Sequence, residues 1–490
     1  MTAQTILPAN TLSSGYNVAN SARFDIAGTD TLRLAAAGSN GDMKHWTISM
    51  WIKRSKLGAL QHVWSWSRNS TNAEGGFAFD ANDQLFFIND GQNGSTNEID
   101  GRWRDPASWM HLVWSCDADD GTNANRWKVY INGVQKTLTG GPTISDANGI
   151  INQGSTQEHW IGGRARSLND NVADASYFSG YLAEVVFIDD ATLDPTSFGE
   201  FDSDSPTIWK PIDVSGLTFG AEGYYLDFQN ASELGTDVSG NSNTLAENSM
   251  DATNQSTDTC TNNFATMNSV ANFRSGVGFT DGNLGVAMTN NKGGSTSTFG
   301  LTTGKWYVEM NITTMPADER FHLGINPFEI QEQDDHNSTT NQGIGLSGFN
   351  AVIYADSGSG SAVLNNFFGN NTTRFDSFTG IIGMALDITN GTIAFSKAGD
   401  WVTGSGTTDS DFSNALKVDI STALARHDTW HVTCGSGNSS GTTGVFSMNF
   451  GSPSFSISSG NADGNGYGNF EYAVPSGYYS INSKNLAEYG

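Results

Sequence analysis

The chain has 490 residues, 57 of them Gly and only 10 Pro, with 15% charged against 37% hydrophobic residues, which suits a turn-rich β protein of two or three domains. Lys and Arg total 24 against 51 Asp and Glu, a formal charge of −27, so the long-range field repels phosphate backbones and anionic headgroups, and neither nucleic acid nor membrane is expected as a partner. Cys116, Cys260 and Cys434 form no CxxC pair, which argues against a disulfide scaffold or a cysteine-based zinc site and for buried, reduced thiols.

The opening "MTAQTILPANTLSSGYN" has neither the basic start nor the apolar core of a secretion signal, and no run in the chain reaches the ~18 apolar residues of a spanning helix. Folding in the cytoplasm of the producing cell, without membrane insertion, is the expectation. Residues 1–20 read as an arm. Its Ile6, Leu7, Leu12 and Tyr16 are apolar groups that a free terminus has no reason to display. They either seat in a groove or sheet edge of a neighbouring protein or pack back on their own domain.

Helical periodicity is almost absent, and short apolar or alternating runs recur between clusters of Gly, Asn, Asp and Ser, the pattern of an all-β sandwich. Strands are predicted at 23–26, 32–34, 47–52, 62–66, 76–79, 85–88, 159–161 and 181–187. Two more lie within "WMHLVWSCDADDGTNANRWKVYINGVQ", residues 109–135. There 112–114 is a buried-type run and 127–131 alternates around the polar loop 117–125, while Asn132-Gly133 supplies the positive φ angles of a two-residue turn. Trp114 and Trp127 read as core, Trp109 as lying on the opposite face, and His111, lacking a triad partner, as hydrogen-bonded structure.

A charge cluster with two prolines at 199–215 and a small, polar stretch at 231–263 mark a junction. The second block is predicted to hold strands at 306–312, 321–325, 343–346, 352–354, 381–387, 392–396, 429–433 and 445–450, with an aromatic-bearing tail around the sandwich edge. The resulting assignment is an arm at 1–20, a sandwich at 21–212, a polar Gly/Asn/Ser-rich connector at 213–262, and a second sandwich with a C-terminal wrap at 263–490.

Three loops carry candidate sites. In the first, Trp103 beside Asp100, Arg102 and Arg104 is an aromatic surface with polar neighbours, able to stack a sugar ring and hydrogen-bond its hydroxyls or to act as a protein-contact hot spot. The second is the hairpin tip with Asp117, Asp119 and Asp120, whose spacing does not match a calcium loop. The third, Asn461, Asp463 and Asn465 before Gly466, has the one-three-five spacing of a calcium loop, but its twelfth position is Tyr472 and not a bidentate Glu, so a turn competes with calcium there. No other cofactor is implied. Phosphate-loop, zinc-protease and serine-hydrolase motifs are absent from the sequence.

The first block resembles laminin G-type, concanavalin A-like domains: "WTISMWIKR", the 109–135 hairpin, "WIGGRARS" and "YFSGYLAEVVFIDDATLDPTSFGEF" occur in that family's order. The second resembles a SPRY-type domain, through "GKWYVEMNI", "IIGMALDITNGTIAFSKAGDW" and the closing "MNFG", with Ala398 where the family's hairpin has Asn. The resemblances imply two tandem concanavalin A-like jelly-roll β-sandwiches. The pairing, with "DVSGNSNT" between and "PSGYYSINSKNL" at the end, is similar to surface proteins of tailed, often marine, bacteriophages.

That similarity implies a non-enzymatic virion-surface protein, of tail fibre or head, made in the host cytoplasm. Its partners would be other virion proteins, through the arm, and a host-surface glycan or protein, with a homotrimer the first oligomer to consider. Two alternatives stand beside it: a structural decoration component without ligand, and a glycan-degrading enzyme. The enzyme would rest on "EIDGRW", where Glu98 and Asp100 alternate onto one face, but Trp103 occupies the third position of the E-x-D-x-x-E strand of laminarinase-like hydrolases. No catalytic residue is assigned, since a retaining pair must flank the scissile bond about 5 Å apart and both acids read as solvated loop residues.

Overall fold

The computed structural model describes residues 15–35, 44–68, 74–89, 97–139, 157–164, 176–273, 276–288, 293–316, 321–327, 343–347, 352–356, 361–366, 375, 378–436 and 443–490. The chain forms two compact units, one within 8–263 and one within 264–490.

In the first unit, one sheet runs, by hydrogen-bonded neighbours, Gln255–Ser256, Ser21–Phe24, Gly180–Asp189, His45–Arg54, Trp109–Asp117, Trp127–Ile131 and Val134–Lys136, and Tyr224–Leu226 also pairs with Gly180–Asp189. The other runs Ala246–Asn248, Thr31–Leu34, Gln157–Ile161, Gln61–Arg68, Glu74–Phe79 and Leu85–Asn89. All pairings between these strands are antiparallel. The predicted hairpin forms with Trp114 opposite Val129 and Cys116 opposite Trp127, and Asn132 and Gly133 turn it at φ 49° and 76°. The inner faces meet over an aromatic core in which Trp114 packs edge-on against Trp46 and Trp127, with ring centroids 4.8 and 4.7 Å apart.

The stretch read as a junction and connector is built into this unit. Its polar residues close turns. The Asp237 carboxylate accepts from the backbone N–H groups of Tyr225, Ser239 and Asn243 at 2.9, 2.9 and 2.8 Å, and Asn241 and Asn243 donate their amides to the Gly223 carbonyl. Its widely spaced aromatics cover the outer face of the first sheet. Phe198, Val214, Phe219 and Tyr225 bury Val113, Tyr130, Val186 and Ile188, while Val18, Trp209 and Cys260 bury Trp51, Trp109 and Tyr181. The central strands of the sheet are thus buried on both sides, and Gly180–Asp189 along its whole length.

The second unit has a sheet running Met267–Phe273, Gly293–Leu301, Trp430–Ser436, Phe321–Pro327, Ile344–Ser347, Val352–Asp356 and Ser361–Asn366. Its other sheet runs Val277–Thr280, Gly285–Met288, Gly444–Asn449, Lys305–Thr314, Gly380–Asp387, Thr392–Lys397, Asp400–Val402 and Thr408–Asp409. Trp306, Val308 and Met310 are buried on one face of this sheet; Tyr307 is buried on the other, packed with Trp401, Phe470 and Tyr478. The C-terminal segment lies on this sheet face through Phe470 and Tyr478 and also pairs along the start of strand Lys305–Thr314, where Tyr307 N–H donates to Tyr479 O and Tyr479 N–H to Lys305 O, both at 2.9 Å. The hairpin between Thr392–Lys397 and Asp400–Val402 keeps its two-residue turn: Lys397 pairs with Asp400, and Ala398 takes φ 52° before Gly399 at 89°.

Candidate ligand-contacting rim of the first sandwich

The loop with Asp100, Arg102, Trp103 and Arg104 is fixed from both ends. At its start, Asn97 and Ile99 extend the ladder of edge strand Leu85–Asn89, with Phe87 N–H donating to Asn97 O at 3.1 Å and Ile99 N–H to Leu85 O at 3.0 Å. Glu98 is part of this edge cap and accepts a long 3.4 Å bond from Gln84 Nε2, while Asp100 is exposed.

The other end is held by the turn at 80–84. Asp80 accepts from the N–H groups of Asn82 and Gln84, both at 2.8 Å, which tightens the turn and places Asp83 at φ 63°. The buried Asp83 carboxylate accepts from Gly58 N–H at 2.8 Å, Arg54 at 3.1 Å and Arg104 Nε at 2.9 Å. Burial pushes this carboxyl up, but the Gly58 amide and the two guanidinium groups outweigh it and hold it below the usual range. Burial pulls Arg54 down to about 10, against the attraction of Asp83, so it stays charged at neutral pH. Arg54 donates to the Trp103 carbonyl at 2.6 Å and lies 4.1 Å over the Phe79 ring, and Trp103 N–H donates to Asp83 O at 2.9 Å.

This geometry brings the four predicted residues together but corrects one of them. Trp103 is half-buried, packs against the core and has its indole N–H enclosed, so it is not an open stacking platform. Tethering its backbone to Asp83 and Arg54 turns the ring inward. What the rim presents outward is polar: Asp100, Arg102, and Arg104 with its side chain 55% exposed. Arg102 and Arg104 both donate to the Asn82 carbonyl, which fixes two guanidinium groups side by side. Sequence reasoning missed Arg54, Asn82 and Asp83. The only local signal was the turn chemistry of "DANDQ", and the partners lie far apart in sequence.

The remaining candidates fall elsewhere. His111 is buried. Trp209 Nε1 donates to its Nδ1 at 3.0 Å, so its Nε2 carries the proton toward Ser49 Oγ at 2.9 Å, and burial lowers its pKa to about 3, which leaves it a neutral structural group. At the hairpin tip, Lys44 pairs with Asp119 at 2.7 Å, and Asp120 accepts from Thr122 N–H at 2.7 Å.

The calcium reading at Asn461, Asp463 and Asn465 is also corrected. Asp463 is buried, and its carboxylate takes five protein donors: the N–H groups of Asn465, Tyr467 and Ser480, the Ser480 hydroxyl and the Asn485 amide, at 2.6–3.0 Å. Asn461 donates to Ser459 and Glu471, and Asn465 donates to Asn485 Oδ1. Hydrogen bonds within the fold thus occupy the Asp463 oxygens that a metal would need. Among the described residues, no three His, Cys, Asp or Glu side chains are placed to share a metal ion.

Of the arm residues, Ile6, Leu7 and Leu12 lie outside the described residues. Tyr16 packs on its own sandwich, its hydroxyl 3.3 Å from Tyr225 Oη and 3.4 Å from Glu184 Oε2, so it is not an attachment group. The outer-face cluster gives its ring a place to be buried.

A family comparison agrees with the architecture of the first unit. Residues 27–195 match the laminin G family model described as Concanavalin A-like lectin/glucanases superfamily. No curated protein matches the chain. Similar solved structures include mouse laminin alpha1 chain domains LG4-5, at 11% identity over 86% of this chain and 84% of that one, TM-score 0.29. They also include the SPRY domain of human HERC1, at 13% over 37% and 96%, TM-score 0.25, and the native heptameric SAP-like pentraxin of Limulus polyphemus, at 15% over 36% and 80%, TM-score 0.26. Residues 27–195 are thus similar to the concanavalin A-like superfamily, within a chain whose two units are both built of β-sheets.

Proposed function

We propose that this protein is a non-enzymatic adhesion protein of a tailed-phage particle, binding a host-surface glycan or protein through the rim of its first sandwich. The observation that carries the reading is the rim itself: Arg102 and Arg104 anchored on one carbonyl, with exposed Asp100 beside them, on a loop pinned by Asp83. Groups held this rigidly lose little conformational freedom on binding, which favours recognition of a polar ligand. The lectin/glucanase superfamily match supports a saccharide as that ligand. Particle location, assembly through residues 1–14 and a trimeric state belong to the same proposal and rest on the phage-like organisation of the sequence.

The test is glycan-array binding by the full chain and by Arg102→Ala/Arg104→Ala. Binding by the full chain that the double variant loses supports the reading. Binding that the variant retains moves the site, and absence of binding with firm particle incorporation favours the structural role. Reducing-sugar release abolished by Glu98→Gln or Asp100→Asn would favour the hydrolase instead.

A further inference from the structure

The outer face of the first sandwich holds a buried acid that the rim does not use. Glu184 lies in strand Gly180–Asp189 where the register with His45–Arg54 shifts between Ala183 and Val186, and it takes φ 50°. A non-glycine residue in this conformation at a bulge is aimed away from the regular ladder. The residue is 6% exposed, and its Oε2 accepts from Tyr225 Oη at 2.8 Å and Tyr16 Oη at 3.4 Å.

Among the described residues, no ion pair balances it. The charges acting on it are Asp227 and Asp213, both negative, and Cys260 lies close enough to feel it. The lysines of this region are engaged elsewhere, Lys53 with Asp258 at 2.7 Å and Lys210 with Glu200 and Asp202. Tyr16 is the least buried member of the trio. It belongs to the N-terminal segment at 15–20, which docks one step further on, where Val18 N–H donates to Thr261 Oγ1 at 3.1 Å and Val18 O accepts from it at 3.2 Å.

We propose that Glu184, Tyr225 and Tyr16 form a proton-operated latch that seats the N-terminal segment on the sandwich when Glu184 is protonated and loosens it when Glu184 ionises. An ionised carboxylate held by two tyrosine hydroxyls beside two negative charges needs water, and Tyr16 is the one of the three residues that is not fully buried. Burial first, then Asp227 and Asp213, raise the Glu184 carboxyl to about 7 against the pull of the tyrosines. The segment is therefore held in mildly acidic solution and released as pH rises through neutrality.

Hydrogen exchange of the full-length protein tests this, with the Val18 amide followed from about pH 5.5 to about pH 8.5 and corrected for the intrinsic pH dependence of exchange. The expected result is a ~10-fold or larger fall in protection, with a midpoint near neutrality. Glu184→Gln should hold high protection throughout. Tyr225→Phe, which removes the shorter donor to the carboxylate, should move the midpoint upward. Constant wild-type protection would overturn the latch. So would an unshifted fall in both variants, or in Tyr225→Phe alone if Glu184→Gln does not fold.

Discussion

Each sandwich buries one glutamate in a strand of its larger sheet, and the two are held in different ways. Glu309, in the "GKWYVE" strand, is fully buried in regular ladder and accepts from Tyr307 Oη, Asn449 Nδ2 and the N–H groups of Glu471 and Tyr472, at 3.2, 3.1, 3.1 and 2.9 Å. Glu184 sits at a bulge with two tyrosine hydroxyls and no main-chain donor among the bonds described. Burial raises both carboxyls, but at Glu309 two main-chain amides oppose it. Backbone donors belong to the fold and cannot leave, so Glu309 staples the C-terminal segment permanently. Tyrosine donors on a strand and a terminal segment can separate, so Glu184 is poised. The difference lies in where the donors come from more than in burial itself.

The harshest way to break the comparison is to remove the cover of the first sandwich. A fragment of residues 8–263 should fold, whereas one ending at 212 should be insoluble or molten, because it strips Val214, Phe219 and Tyr225 from over Val186, takes Cys260 from beside Trp51 and Trp109, and deprives Lys53 of Asp258. Near-ultraviolet circular dichroism of the two fragments decides it, and a native-like spectrum for the shorter one would restore a true connector.

Glu309→Ala should cost about 3–5 kcal/mol in urea unfolding of the second unit, since it orphans the Asn449 amide and two main-chain N–H groups at once. A loss below about 1 kcal/mol would mean that the C-terminal segment is held by its aromatics alone.

Asp258 extends the contrast to an acid with a cation. It pairs with Lys53, whose ammonium burial pulls down despite that partner, and accepts from Trp109 Nε1 at 3.0 Å. Lys53→Met alone should cost about 3 kcal/mol, and adding Asp258→Asn should recover most of it, because the penalty is the unpaired charge more than the lost attraction. Additive losses in a denaturant double-mutant cycle would contradict this.

Glu184→Gln sharpens the pH side. The folded-state pKa of about 7 lies above the ordinary 4.5, so the native state holds a proton that the unfolded chain has released. The stability that this group contributes is fully present below about 4.5, is lost as pH rises toward 7 and is absent above it. The Gln variant should match wild type near pH 5 and exceed it by about 2 kcal/mol near pH 8. An equal difference at both values would show that the site does not titrate.

The smallest effect compares the two hairpin turns. Asn132-Gly133 and Ala398-Gly399 share left-handed conformations, and both glycines lie under an aromatic ring, of Trp209 and of Tyr472, that an added Cβ would strike at 2.4 Å. Ala398→Gly or Ala398→Asn should stabilise the second unit by about 0.5–1 kcal/mol, and Asn132→Ala should destabilise the first by a similar amount. Thermal midpoints of the two units report both.

Much of the fold was legible because strands announce themselves locally. Alternation placed 127–131, a two-residue turn signal placed Asn132-Gly133, and the core tryptophans of 109–135 followed from their position in the pattern. The misreadings share one cause. Phe219, Tyr225, Trp209 and Cys260 are too widely spaced among Gly, Asn and Ser to show a period, so the segment covering the outer face looked like a linker. Trp103 looked exposed because nothing local says that Asp83 and Arg54 will fold its loop inward.

The sequence by itself determined the all-β class, the hairpins and the acidic field, since each depends on neighbours within a few residues or on a sum over the whole chain. The tertiary structure decided which polar residues are surface and which are hubs. Asp83, Asp258, Asp463, Glu184 and Glu309 are ordinary acids in the sequence, and each differs only in the donors that distant segments bring to it. A carboxylate's role is set by its solvation, and solvation is a property of packing that residue spacing does not encode.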